Sequence, residues 1–343
     1  MFIPVVNLEN KPLMPTTPSR AKRWIISRKA TPFWKKGVFC VRLNIQTKEN
    51  KQEIAVGVDP GSKRESFTIK SESHTYLNIQ AHAITWVKDV VEGRRNARRA
   101  RRFRNTPCRK PRFNKAKGGL CPSTKARWQW KLRIINWLKK LFPVTMVVVE
   151  DIKAKTKGQR KWDKSFSPLE VGKKWFYSQI HNLQLKQGWE TYELRESLGL
   201  KKSKQKLSND FSAHCVDSWV LANWYVGGHI VPENKGILLI EPMQFHRRQL
   251  HVFQPKNGVR KNYGGTRSLG LKRGSLVHHP KYGLTYIGGT SKERISLHNV
   301  STGVRLCRNA NTNDCKFKTY LTWRAAFLPY HKGKVVNDLA ASP

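Results

Sequence analysis

Three acidic residues, two at the ends of apolar runs and one in a predicted helix, are of a type that suits metal-assisted chemistry. Asp59 ends the strand-like run IAVGVD, Glu150 ends VTMVVVE, and Asp217 lies in AHCVDS. Carboxylates at neighbouring strand ends, unpaired by any lysine in those strands, repel one another and resist burial without a cation. We therefore expect the three side chains to bind two Mg²⁺ ions, for which Mn²⁺ can substitute. Ions roughly 3.5 to 4 Å apart would activate water and stabilise a leaving oxygen.

His214 precedes Asp217 by three residues, so on a helix the two side chains share one face. This spacing predicts that His214 orients or deprotonates the attacking water. Each signal also has a simpler explanation: Asp59 before Pro-Gly caps a turn, Glu150 begins a polar loop, and His214 bonds Asp217 on a helix surface. Their order along one fold favours the catalytic interpretation.

The elements that carry these residues alternate in a recognisable order. IAVGVD, ESFTIKS and HTYLNIQAH are spaced as a three-stranded meander, a long helix follows from Thr85, and Val144–Asp151 has the continuous apolar character of a central strand. A strand meander, a helix, a buried central strand and a further helix is the order of an α/β, ribonuclease H-like core. Such a core places the ends of the central strands close together.

The other segments predict less regular structure. Lys11–Trp24 is predicted as a turn and basic arm and Gly37–Asn44 as a strand. After the central strand we expect a helix around Glu170–Gln187, a short strand WETYEL, and a helix over Ser208–Val226 capped by Ser208 or Asn209. From about Lys235, short strands with glycine turns predict a small, mainly-β C-terminal module.

The composition indicates a nucleic-acid partner. The 343 residues include 66 Lys and Arg against 22 Asp and Glu, a formal net charge of +44, with 12 Trp and 9 Tyr among the basic residues. Such a chain needs a polyanion, and aromatic side chains suit bases. No apolar run approaches the ~20 residues of a membrane span, and no signal peptide is evident, so we expect a cytoplasmic, nucleoid-associated protein. The six cysteines form no C-x-x-C pair, which favours reduced thiols over a structural zinc.

An arginine-rich helix is the strongest candidate for contact with RNA. Within Thr85–Asn105 the positive side chains cover more than half of the helix circumference, a self-repelling arrangement that phosphates would relieve. The predicted RNA-binding residues are Arg94, Arg95, Arg98, Arg99, Arg101, Arg102 and Arg104. The turn lysines are ambiguous between RNA contact and solvation: Lys201, Lys202, Lys204 and Lys206.

Five motifs in order resemble the RuvC nuclease and bridge helix of the IscB/IsrB family of transposon-encoded proteins. They are VGVDPGSK, RRNARRARRFRN, VVVEDI, SFSPLEVGKKWFY and AHCVDSWVLAN, and KPLMP at Lys11–Pro15 resembles the family's PLMP motif. The resemblance covers about residues 1 to 230. It implies a guide (omega) RNA, opening of duplex DNA beside a short target-adjacent motif, and cutting by RuvC chemistry at Asp59, Glu150, His214 and Asp217.

The resemblance also implies a domain organisation and a single nuclease centre. Two-nuclease relatives carry an HNH domain between the segments corresponding to Glu150 and His214, but here that interval contains one histidine, His181. The pattern is therefore similar to the IsrB members, which implies nicking of the non-target strand by a monomeric protein in a ribonucleoprotein. The expected parts are PLMP-like 1–52, RuvC 53–84, bridge helix and linker 85–113, RuvC 114–152, RuvC 153–234, and an RNA-stem and target-adjacent-motif region 235–343.

Two other functions remain open at this stage. One is a protein-only RuvC-like endonuclease that acts on branched DNA without a guide, and the other is a non-catalytic RNA chaperone that keeps the fold. The number of arginines exceeds what a DNA junction requires, and the three carboxylates argue against a degenerate site. Within the C-terminal region, charge alone suggests five contact residues: Arg247, Arg248, Arg267, Lys272 and Arg273.

Overall fold

The computed structural model describes residues 2–47, 50–105, 120–153, 167–244, 267–291 and 293–328. Within them the chain forms an N-terminal sheet, a large central sheet with helices on both faces, and a C-terminal β module. No helix in these ranges is both long enough and apolar enough to span a bilayer. The five cysteines in these ranges are free thiols, and Cys108 lies outside them.

The N-terminal sheet has four strands in the order β2-β1-β4-β3, with one helix against it. Its elements are β1 Ile3–Val6, β2 Pro12–Thr16, α1 Pro18–Ile26, β3 Ala30–Lys35 and β4 Val38–Leu43. The prediction of a turn and basic arm over Lys11–Trp24 is therefore wrong. Thr17 caps α1 by accepting a hydrogen bond from the Arg20 amide, and Leu13 and Ala21 are buried in a local core.

The central sheet has seven strands in the order β18-β10-β7-β6-β5-β8-β9. The strands are β5 Ile54–Asp59, β6 Arg64–Ser71, β7 Thr75–His82, β8 Met146–Asp151, β9 Leu183–Gln187, β10 Ile237–Pro242 and β18 Trp323–Leu328. The β5-β6-β7 meander is antiparallel, whereas β8 is parallel to both β5 and β9. The predicted meander and buried central strand are confirmed.

Six helices belong to this central part. They are α2 Val87–Phe103, α3 Pro122–Leu138, α4 Pro168–Tyr177, α5 Gly188–Ser197, α6 Phe211–His214 and α7 Val216–Val226. The helix α3 packs on one face of the sheet through Ile134 and Leu138, which share a core with Val56 and Val58 of β5. The helix α7 packs against β5 and β6 on the other face. The alternation of side chains along β5 therefore directs Asp59, like Gly57, toward the α7 face.

Three predictions in this region need correction. The helix expected over Glu170–Gln187 ends at Tyr177 with Ser178 as its C-cap, and the chain turns through Asn182, at a positive φ of 56°, into β9. WETYEL is helical rather than extended, since Gln187 and Glu190 form a capping box that starts α5. The helix expected over Ser208–Val226 is divided at Cys215 into α6 and α7, and its cap is Asp210.

The C-terminal module is β-rich, as predicted, but the chain also returns to the central sheet. A five-stranded antiparallel sheet has the order β16-β15-β14-β13-β17, beside a small β11-β12 ladder. The strands are β11 Arg267–Ser268, β12 Leu271–Lys272, β13 Ser275–His279, β14 Gly283–Ser291, β15 Arg294–Asn299, β16 Arg305–Ala310 and β17 Lys316–Tyr320. Strand β18 pairs with β10, and Trp323 packs edge-on against Trp130 and Trp137 of α3.

Candidate metal centre

The structure brings Asp59, Glu150 and Asp217 together at the carboxyl ends of β5 and β8. These strands are parallel neighbours with Val58 opposite Val149, so the residues that follow, Asp59 and Glu150, lie side by side. Asp217 comes from the first turn of α7. One carboxylate oxygen from each residue lies within 4.8 Å of the others. Carboxylates from two strands and a helix thus meet although they are far apart in the chain.

A close approach between β5 and α7 positions Asp217, and Gly57 makes this approach possible. A Cβ atom at Gly57 would lie 1.9 Å from the carbonyl oxygen of Ser218 and 2.8 Å from the amide nitrogen of Ala222. Only a residue without a side chain fits there. Because Gly57 lies two residues before Asp59 and Ser218 follows Asp217, this contact sets the separation of the two carboxylates.

The three carboxylates of the cluster repel one another, and this repulsion adds to the effect of burial on the pKa of Glu150. Burial, followed by the negative charges of Asp59 and Asp217, raises the pKa of Glu150 to about 8, although Lys202 opposes the shift. Burial alone would lower the pKa of Lys202, but the two aspartates outweigh it, so that pKa is raised. Further positive charge would therefore stabilise the ionised forms of the three acids.

Two basic side chains share the oxygens of Asp217. Arg195 of α5 donates from Nη1 to Oδ1 at 2.9 Å. Lys202 donates to Oδ2 of Asp217 and also reaches Oδ2 of Asp59 at 3.4 Å. Sequence reasoning missed Arg195 and left Lys202 as either an RNA contact or a solvated turn. The structure places the Lys202 ammonium between two carboxylates, a position that only the fold reveals.

His214 does not join the acidic cluster in this structure. Its Nε2 lies 3.0 Å from Nη1 of Arg64, which also donates to the carbonyls of Lys206 and Ser208. Because a guanidinium only donates, Nε2 of His214 is the acceptor. Burial and then the Arg64 charge lower the pKa of His214, so the neutral ring is favoured. A role as general base therefore requires the Arg64 contact to break.

Asp151, the acid that follows Glu150, is committed to other partners. Its carboxylate accepts hydrogen bonds from Lys173 at 2.7 Å, Tyr177 at 2.8 Å and Gln187 at 3.1 Å. These donors outweigh burial and lower its pKa. Asp151 therefore ties β8 to α4 and β9, whereas Glu150 faces the cluster.

The donor set fits a divalent metal ion. Mg²⁺ and Mn²⁺ prefer hard oxygen ligands, and the cluster offers three carboxylates from rigid strands and a helix. The raised pKa of Glu150 also favours a metal site, because it reflects the burial of this carboxyl group and its repulsion by the crowded neighbouring acids. A bound cation would reduce this repulsion. Asp59, Glu150 and Asp217 are the residues that would hold the ion.

The arginine-rich helix α2 is exposed along its length. None of its residues is buried, and among the described elements it packs weakly against α3. The predicted RNA-binding arginines are solvent-accessible, with only Arg101 partly covered. Of the C-terminal candidates, Lys272 lies over the Tyr320 ring at 5.2 Å, Arg267 lies in β11, and Arg247 and Arg248 lie outside the described residues.

A comparison with models of protein families gives a match. Residues 3–162 match the model of the family described as RRXRR protein. The matched segment contains Asp59, Glu150 and the whole of α2, where residues 98–102 read RRARR and so fit the family name. Among curated proteins, none matches the chain. The similarity therefore covers the N-terminal sheet, the meander, the arginine helix and the central strand.

Proposed function

We propose that this protein is an RNA-guided, Mg²⁺-dependent DNA nickase of the IsrB kind, with a ribonuclease H-like core. The observation that carries the proposal is the convergence of Asp59, Glu150 and Asp217 at the ends of two parallel strands. The sheet order, with an antiparallel meander next to a parallel central strand, supports the ribonuclease H-like assignment. The match to the RRXRR family is consistent with an arginine-rich, nucleic-acid-binding protein.

In this proposal the protein residues prepare a site for a scissile phosphate. Asp59, Glu150 and Asp217 hold the cation, and Arg195 fixes one oxygen of Asp217 so that the other faces the cluster. A bound divalent cation would neutralise developing charge on the phosphate and lower the pKa of a coordinated water. His214 takes the proton of the attacking water once the Arg64 contact opens.

The positive charge of the protein supports the binding of a guide RNA. The chain carries a formal +44, and α2 presents its arginines to solvent with few acidic neighbours. Such a helix binds the phosphate backbone without reading sequence, which suits a protein that leaves target recognition to base pairing. The described residues contain one such carboxylate centre, which suits the cutting of one strand, and the family resemblance assigns the cut to the non-target strand.

The first experiment tests the chemistry. The full chain is purified with its co-expressed RNA, and that RNA is sequenced. Nicking is then measured on a supercoiled plasmid that carries the matching target, with each strand labelled. We expect Asp59→Asn to lower the nicking rate at least about a thousandfold while target binding is retained. Glu53→Gln is the matched control, because Glu53 is an exposed acid directly before β5. Full-rate cutting by Asp59→Asn would remove the cluster from the mechanism.

The second experiment tests the arginine helix. Replacing Arg94, Arg98 and Arg102 by Gln removes one row of cations from α2, so the slope of log affinity for RNA against log salt concentration should flatten by about 2. The same three positions changed to Lys keep the charge and should keep the slope. Equal slopes in the two triple variants would refute the RNA-binding role. Recovery of no discrete RNA would instead favour the protein-only nuclease.

A further inference from the structure

Lys202 is the one lysine of the 201–206 turn with a carboxylate partner among the described contacts. The turn lies between α5 and α6 and also contains Lys201, Lys204 and Lys206. Lys202 is about one-fifth exposed and bridges acids from two different elements, Asp59 of β5 and Asp217 of α7. An ammonium between two carboxylates occupies the position that a cation shared by them would take.

The other cation at the cluster is held very differently. Arg195 belongs to a regular helix, and its guanidinium lies 5.1 Å from the Tyr192 ring centre. It donates to Oδ1 of Asp217 at 2.9 Å and lies 3.8 Å from Oε1 of Glu196. Lys202 comes from a segment without helix or strand and carries its charge on a flexible four-carbon chain. A guanidinium in a fixed geometry stays with its partner, whereas a flexible ammonium exchanges more easily.

We propose that Lys202 is a built-in competitor of the divalent cation: its ammonium holds Asp59 and Asp217 together before the cation binds and is displaced by it, while Arg195 remains on Asp217. This inference rests on the proposed metal-binding role of the three carboxylates. It makes cation affinity a property that the 201–206 turn adjusts. Whatever moves this turn, including nucleic acid bound to its neighbouring lysines, then changes the affinity of the centre.

The test measures Mn²⁺ binding to the full chain, without any nuclease assay. Free Mn²⁺ is quantified by electron paramagnetic resonance, and the melting temperature is recorded with and without Mn²⁺. Lys202→Met removes the competing charge, so we expect Mn²⁺ to bind about tenfold more tightly or better, and the melting temperature without Mn²⁺ to fall. Lys201→Met, an exposed neighbour in the same turn, should behave like the wild type.

A second variant covers the case in which Lys202→Met folds poorly. Lys202→Arg keeps the charge and adds a forked donor, so it should bind Mn²⁺ more weakly than the wild type. Unchanged or weaker Mn²⁺ binding by Lys202→Met, or tighter binding by Lys202→Arg, would overturn the competition. Failure of the metal centre itself has a different signature, because wild type and Asp59→Asn would then bind Mn²⁺ equally.

Discussion

Gly57→Ala tests whether the approach of β5 to α7 builds the candidate centre. The added Cβ would lie 1.9 Å from the Ser218 carbonyl oxygen, and an ordinary contact begins at about 3.4 Å, so strand and helix must separate by about 1.5 Å. Both obstacles, Ser218 O and Ala222 N, are backbone atoms of a packed helix and cannot rotate away. We expect the unfolding free energy to fall by about 3 kcal/mol or more, which for a chain of 343 residues lowers the melting temperature by about 4 °C.

The same displacement should open the carboxylate cluster. Oxygens that share a divalent ion must stay close to one another, and one carboxylate oxygen from each of the three acids lies within 4.8 Å of the others. Moving Asp217 a further 1.5 Å should weaken Mn²⁺ binding about tenfold or more. Urea unfolding and Mn²⁺ titration measure the two effects. Gly93→Ala, on an open face of α2 where a Cβ meets nothing within 4 Å, is the control and should be neutral or slightly stabilising. Wild-type stability and Mn²⁺ affinity in Gly57→Ala would refute the reasoning.

Three further predictions concern stability, measured by urea unfolding. Lys131→Met should lower the free energy of unfolding by about 3 to 5 kcal/mol, because it leaves the fully buried carboxylate of Glu65, 2.7 Å from the lysine, without its partner. Adding Glu65→Leu should restore most of this loss. A loss below about 1 kcal/mol in the single variant would show that the pair is solvated. Asp210→Ala should cost about 1 kcal/mol, since its carboxylate accepts from the Ala213 amide at 2.7 Å and caps α6; an unchanged midpoint would count against the cap. Burial lowers the pKa of Lys70 to about 8 from 10.5, so as pH rises Lys70 loses its proton in the folded state before it does in the unfolded state. The free energy of unfolding of the wild type should therefore rise relative to that of Lys70→Met between pH 8 and pH 10.5. Parallel plots of unfolding free energy against pH for the two proteins would contradict this.

The strand ends could be predicted from sequence because their signals are local. Apolar runs of the right length place β5 and β8, and the acids that end them are visible as departures from those runs. The long helix α2 also follows from composition, since its residues are good helix formers without proline. The convergence of Asp59 with Glu150 then required only the expectation that parallel neighbours end together.

The features that the sequence did not predict depend on contacts between residues that are distant in the chain or on the caps of helices. WETYEL has the residues of a strand, yet the capping box at Gln187 and the burial of Thr191 make it a helix. The importance of Gly57 depends on the backbone of α7, which is distant in the chain. Lys202 is one of several lysines in its turn, and only the folded turn distinguishes it from its neighbours.

The centre is assembled by two structural relations that can be disturbed separately. The register of β5 against β8 sets the pair Asp59 and Glu150, and it is maintained by backbone hydrogen bonds that side-chain substitutions leave in place. The docking of α7 adds Asp217 through a contact that one methyl group would break. A change at the docking contact should therefore leave Asp59 and Glu150 side by side, while Asp217 moves away from them. Because Lys202 and Arg195 both bind Asp217, a shift of α7 also changes the contacts of both basic side chains with this carboxylate.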